Sequence, residues 1–285
     1  MSDDDLDDEP PRAWNPFTPA GVASFANAPL GHLLTVQLVT ALLVFVSIVF
    51  YLDRSWAAAV DSAVENLPPG AHLQAGRLTI PGFDALHLST NRFVGVTFAT
   101  NDAPGAVADV EIRLAADQWQ LSALPGYVSL PYPAPLDEPI DRASLSPKWG
   151  AWRSAVVPLT AASFTAGICL TWILLATAYA WPLRVLVFFR DKLTSRLGCW
   201  KLCAAALLPG ALLMACATVF YTLGQIPAIG VAVAFVAHIV LGWTYVICGA
   251  VALPFLPEAE SLRSNPFGGN EKTKSAAGRK NPFRS

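Results

Sequence analysis

The hydrophobic runs of this chain contain no Asp, Glu, Lys or Arg, and the histidine among them is His238. An intramembrane imidazole is either a working group or a neutral ring bonded to a threonine or a backbone carbonyl. A haem or metal ligand needs a second donor, and His32, His72 and His87 fall outside the runs. The sequence therefore favours the neutral ring. Cys199 and Cys203 stand four apart with no histidine beside them, which reads as buried thiols rather than a metal site. Asp84, Asp102 and Asp109 are separated by turns and strands, which suits solvated carboxylates better than an acid–base pair. No phosphate-cradling glycine loop, zinc-protease helix or serine-hydrolase elbow occurs. The expectation is a protein without cofactor or metal that is not an enzyme.

The elements that must position these residues follow from composition. Of 285 residues, 54% are hydrophobic and 14% charged, against about 25% charged in soluble domains. The net charge of −2 offers no field to hold nucleic acid. Four stretches reach the roughly 20 apolar residues a bilayer core requires: residues 33–52, 155–181, 202–223 and 228–253. The predicted fold class is a polytopic α-helical membrane protein with four transmembrane helices and an inserted small antiparallel β domain outside the membrane.

Basic residues set the orientation. Arg184, Arg190, Lys192, Arg196 and Lys201 lie between the second and third runs, and Arg263, Lys272, Lys274, Arg279, Lys280 and Arg284 follow the fourth. Both segments should face the cytoplasm, which puts both termini inside and residues 53–154 outside. The first run follows an acidic stretch (Asp3, Asp4, Asp5, Asp7, Asp8, Glu9), unlike the short positive start of a signal peptide, so an uncleaved signal-anchor is expected.

Within 53–154, residues 53–65 suit a helix continuing from the membrane, ended by Pro68-Pro69-Gly70. The apolar period then becomes two. Val94, Val96 and Phe98, and Val110, Ile112 and Leu114, alternate with small or polar neighbours. Residues 73–80, 85–90, 119–124 and 128–132 add candidates for an antiparallel sheet or sandwich of about five strands, with a turn over 101–105. Residues 133–150 read as an irregular return. Trp149 and Trp152, with Trp181 and Trp200, sit where interfacial anchors belong. In 182–201, apolar residues recur every three or four positions among the bases. That fits either a basic amphipathic helix on anionic lipid or an extension of the second span. Residues 1–32 and 254–285 read as disordered ends, the latter basic enough for anionic lipid contact.

Asn-Pro-Phe occurs three times, at Asn15, Pro16 and Phe17, at Asn265, Pro266 and Phe267, and at Asn281, Pro282 and Phe283. An Asn-Pro turn presents the following phenylalanine, and the tripeptide resembles the ligand motif of eukaryotic EH domains. The order of parts resembles a group of uncharacterised bacterial membrane proteins, through Asn15-Pro16-Phe17-Thr18-Pro19, Leu67-Pro68-Pro69, Leu73 and Gly76-Arg77-Leu78. That group has an Asp-Thr pair where this chain has Ala99-Thr100. The resemblance implies a layout in a bacterial inner or cytoplasmic membrane and no activity. The expected function is a non-enzymatic assembly, scaffolding or sensing factor that touches the bilayer and a protein, lipid or envelope partner through its external domain. The alternative is a permease or small-solute channel component, which needs Gln37, Thr40, Ser47, Ser163, Thr165 and Thr171 to converge on one pathway.

Overall fold

A computed structural model describes residues 14–99, 107–133 and 137–255. The second and third Asn-Pro-Phe tripeptides, the expected turn at 101–105, residues 1–13 of the first expected disordered end and nearly all of the last one lie outside these residues. The described chain has four helices long and apolar enough to cross a membrane, Leu30–Glu65, Arg142–Phe189, Arg196–Thr222 and Ala228–Ala252, together with two small sheets. It divides into two compact units, one of Met1–Val36, Ile173–Leu207 and Gly242–Ser285, the other of Gln37–Trp172 and Leu208–Leu241.

The first unit begins with a helix where disorder was expected. α1 (Pro19–Ser24) is capped by Thr18, whose hydroxyl accepts from the Gly21 N–H, with Pro19 in the first turn. Val22 and Phe25 are fully buried. The acidic residues that suggested disorder all precede Trp14; from there on the apolar residues have a surface to cover. Phe17 N–H donates to Asn15 Oδ1 at 2.9 Å, so the first Asn-Pro-Phe is an Asx turn with its ring half exposed.

α4 (Arg142–Phe189) runs into this unit and past the expected end of the second span at residue 181. It stops at Asp191, which takes the left-handed conformation (φ 52°). Lys192 N–H then reaches Val187 O and Asp191 N–H reaches Phe188 O, the paired bonds that close a helix. The segment 182–201 is thus part extension of α4 and part start of α5 (Arg196–Ala206). α5 is almost wholly buried from Gly198 onward, which a helix lying on the headgroup layer would not be. Pro209 has no N–H to give the carbonyl of Ala205, and the chain breaks at Leu207 between α5 and α6 (Leu208–Thr222). α7 (Ala228–Ala252) is continuous.

The second unit carries the sheets. α2 (Leu30–Leu52) continues through a π-helical turn, Asp53–Ala57, into α3 (Ala58–Glu65). The expected strand over 73–80 is a hairpin instead, β1 (His72–Gln74) and β2 (Arg77–Thr79). Ala75 and Gly76 both take positive φ (49° and 76°) at its turn, and alanine is a weak advertisement for that conformation. β8 (Asp137–Pro139) pairs with β1 to complete a three-stranded sheet.

The larger sheet has the order β3 (Ala85–Thr90), β4 (Val94–Ala99), β5 (Val110–Leu114), β6 (Gln118–Ala123), β7 (Gly126–Pro131). It is mixed rather than antiparallel, because β4 and β5 run parallel. Alternation in sequence fixes the face on which a side chain stands, not the direction of the neighbouring strand.

The expected irregular return is largely helix. Asp141 caps α4: its Oδ1 accepts from the Ser144 N–H at 2.9 Å, while the Ser144 hydroxyl donates to Pro139 O at 2.7 Å. Asp141 three residues before Ser144 was a legible start signal. The Ser144 N–H, then its hydroxyl, holds the Asp141 carboxyl below the usual carboxylate range. A depressed pKa means the cap stabilises the folded chain above the ordinary value and is lost only as pH falls through the lowered one. Asp141→Ala should therefore speed amide exchange at Ser144 and Leu145 at neutral pH. That difference from the parent should persist through the ordinary carboxylate range and be lost only as pH falls through the lowered pKa.

Candidate functional site

The first turn of α3 begins one phase away from where a plain α-helix would put it. Asp53 and Asp61 are eight residues apart, which on an α-helix leaves them roughly 80° out of line. The π turn, at about 4.4 residues per turn, rotates less per residue and brings both carboxylates to one side. Arg153 of α4 meets them there, with Nη1 donating to Asp61 Oδ2 at 2.6 Å and Nη2 to Asp53 Oδ1 at 2.9 Å. The Trp149 indole N–H, one turn earlier on α4, donates to the other Asp61 oxygen at 2.6 Å. Arg153 is 39% exposed, so these pairs are worth at most about 1 kcal/mol each. Their consequence is geometric: they fix the separation and rotation of α3 against the start of α4.

What the clamp holds open is a half-enclosed cleft of about 730 Å³, within the size range of small-molecule sites. Tyr51, Trp56 and Val60 line one wall, Val156, Thr160, Phe164 and Ile168 of α4 the other, with Thr218, Tyr221 and Val231 behind. From Val156 to Ile168 the α4 wall covers about 18 Å, close to the ~15 Å of one leaflet's hydrocarbon. The lining is mostly carbon, and Trp149 at its edge bonds to Asp61 of the clamp. A cleft of this length and lining can take a ligand with a long apolar part.

The sheet is fastened to the same helix ends. Asn91 accepts from the Phe93 and Val94 N–H groups and donates to Ser55 O at 2.8 Å. The Arg92 guanidinium donates to Ile226 O and lies over the rings of Phe93 and Tyr221. The Tyr221 hydroxyl donates to Asp109 Oδ2 at 2.6 Å. Tyr51, Phe93 and Tyr221 form an aromatic trio with centroids 5.0 to 6.1 Å apart. Sequence reading left Asp109 as a solvated carboxylate and did not single out Arg92, Tyr221, Asp61 or Arg153. No short-range pattern links residues 88 to 134 positions apart, so only the repeated aromatic and basic residues at helix ends could have drawn attention to them.

The residues singled out from sequence scatter. His238 Nδ1 lies 2.5 Å from Phe235 O; since a carbonyl only accepts, the ring is the Nδ1–H tautomer, bonded to its own helix. Among the described residues no group of three His, Cys, Asp or Glu side chains could hold a metal. Cys199 and Cys203 are buried free thiols. Of the tryptophans, Trp149 lines the cleft, Trp200 donates to Thr177 Oγ1 at 3.1 Å, and Trp152 and Trp181 are well exposed. Ser47, Ser163, Thr165 and Thr171 each donate to a carbonyl of their own helix, which is how isolated hydroxyls satisfy themselves in hydrocarbon without converging on a pathway. Two lysines counted for orientation are fully engaged instead: Lys192 Nζ donates to Val251 O and Leu253 O, and Lys201 Nζ to Ala28 O.

No family model, no curated protein and no solved structure matches the chain.

Proposed function

We propose that this chain is a multi-pass membrane protein that binds an amphipathic lipid and does not transform it, as a scaffolding or sensing factor of the membrane's outer surface. In this reading both termini are cytoplasmic and residues 53–154 lie outside, in a bacterial inner or cytoplasmic membrane. Exposed Arg184, Arg190 and Arg196 support the orientation and would meet anionic headgroups. The observation that carries the binding is the cleft itself: leaflet-length, lined mostly by carbon, and bordered by Trp149, which bonds to Asp61 of the clamp. A hydrocarbon chain would lie along α4, and its headgroup would sit by the Asp61–Arg153 clamp. The small domain closes over the same helix ends, so an occupied cleft would be felt by a partner touching the sheet.

Filling the cleft tests this. Thr160→Trp places an indole in its middle. Purified in mild detergent, the parent should retain a lipid visible by native mass spectrometry, and the variant about tenfold less. Equal retention, or none in either, rules out the cleft as a lipid site. A thiol introduced at Tyr127, in a stretch without native cysteine, should react in intact cells with a reagent that does not permeate. Reaction only after lysis would reverse the orientation.

A further inference from the structure

The five-stranded sheet has one apolar face from end to end. In register across it stand Val94, Val96 and Phe98 of β4, Val110, Ile112 and Leu114 of β5, Trp119 and Leu121 of β6, and Val128 and Leu130 of β7. The opposite face carries Thr97, Glu111, Arg113, Gln118, Gln120, Ser122, Tyr127 and Ser129. Half of the apolar face is covered. Val94, Val96 and Phe98 share a core with Ala59 and Ala63 of α3, with Tyr51, Tyr221 and Val231 near the ends of membrane-length helices, and with Ile226 in the turn between α6 and α7. That half of the sheet roofs the helix ends.

Among the described residues, the other half, Trp119 and Leu121 of β6 and Val128 and Leu130 of β7, takes no part in that core. Val128 is 56% exposed, Leu130 44%, and Leu124 at the hairpin tip 83%. A water-facing edge strand of this kind invites aggregation, and proteins blunt such edges with charge. Here residues 118–133 include no charged side chain at all, and Trp119 stands on the apolar face. Uncharged segments rich in tryptophan and tyrosine belong at the membrane–water interface.

We infer that the β6–β7 hairpin rests on the lipid headgroup layer, with Trp119, Leu121, Val128 and Leu130 as its contact. The inference rests on the membrane reading above but not on occupancy of the cleft. Continuity chooses the occupant. The apolar face that meets helix ends at β4 continues strand by strand to β7, past the residues that share a core with those helices. On β6 and β7 the opposite face, with Gln120, Ser122 and Ser129, stays in water. Because the contact has no charge, it is insensitive to ionic strength, unlike the polybasic contacts of the arginine-rich segment.

Alternation along β7 supplies the test. Full-length protein in phosphatidylcholine nanodiscs carries one spin label, at Val128→Cys or at Ser129→Cys. The label at 128 should favour a lipid-soluble over a water-soluble relaxation agent by about tenfold more than the label at 129. The difference should persist in high salt. Leu130→Cys and Tyr127→Cys repeat the comparison should either first variant fold poorly. Equal access of both labels to the aqueous agent, or shielding of 129 rather than 128, overturns the proposal. Shielding of 128 that grows with protein concentration also overturns it, since that reports a second copy or another protein. Nanodiscs expose both faces of the bilayer, so the result does not depend on which side the domain occupies. Thr160→Trp leaves the hairpin untouched, so failure of the cleft reading is seen separately.

Discussion

Lys192→Met should destabilise the chain by about 2–3 kcal/mol, although Lys192 sits in a turn that sequence reading treated as a surface basic segment. α7 ends at Ala252, and its last carbonyls have no partner within the helix. Lys192 is 9% exposed. It donates to Val251 O at 2.8 Å and Leu253 O at 2.6 Å, while Leu193 N–H takes Pro254 O at 2.9 Å. Its ammonium also sits 3.5 Å from the centre of the Phe255 ring. Methionine keeps the volume and removes the donor, leaving two carbonyls unsatisfied at a helix end where the macrodipole favours positive charge. Arg190→Met, two residues away on an exposed side chain, removes the same charge and should change stability by less than about 0.5 kcal/mol. Denaturant titrations in mild detergent compare the two. Equal effects would mean that the lysine contributes net charge and no cap.

Gly210→Leu should cost about 1–3 kcal/mol or prevent assembly, whereas Gly167→Leu should be nearly neutral. In sequence the two are equivalent, each a glycine four residues after a small partner, Ala206 or Ser163. In the folded chain a Cβ on Gly210 would lie 2.9 Å from the carbonyl oxygen of His238. That oxygen is backbone of α7 and moves only if the helix moves. A Cβ on Gly167 would meet nothing within 4 Å. Thermal unfolding in the same detergent separates them, and a loss at Gly167 matching that at Gly210 would contradict the close approach of α6 to α7. His238 acquires a plain role here: its backbone, rather than its imidazole, marks where two helices come nearest.

Much of the architecture was legible because hydrocarbon imposes a coarse rule. Long uncharged runs stand out against any background, and all four fall on helices of sufficient length. The boundaries were less legible, since a helix need not stop where the bilayer does. α4 begins at Arg142 and ends at Phe189, past both expected ends of the second span, because Asp141 caps one end and Asp191 turns the other. Strands were found by their alternation at 85–90, 94–98 and 110–114. The Ala75-Gly76 turn and the parallel β4–β5 pair were not, since neither leaves a mark in the period of apolar residues.

By itself, then, the sequence determined that this chain has four runs long and apolar enough to cross a membrane, because length and local composition are all that this property requires. It likewise determined which face of each strand is apolar. Tertiary structure alone decided where those faces point and what they leave uncovered. The clamp of Asp53, Asp61 and Arg153, the cleft beside it, the Arg92–Tyr221–Asp109 fastening and the bare half of the sheet join residues remote in the chain. Their energies come from distances of 2.6 to 2.9 Å that exist only once the helices have packed.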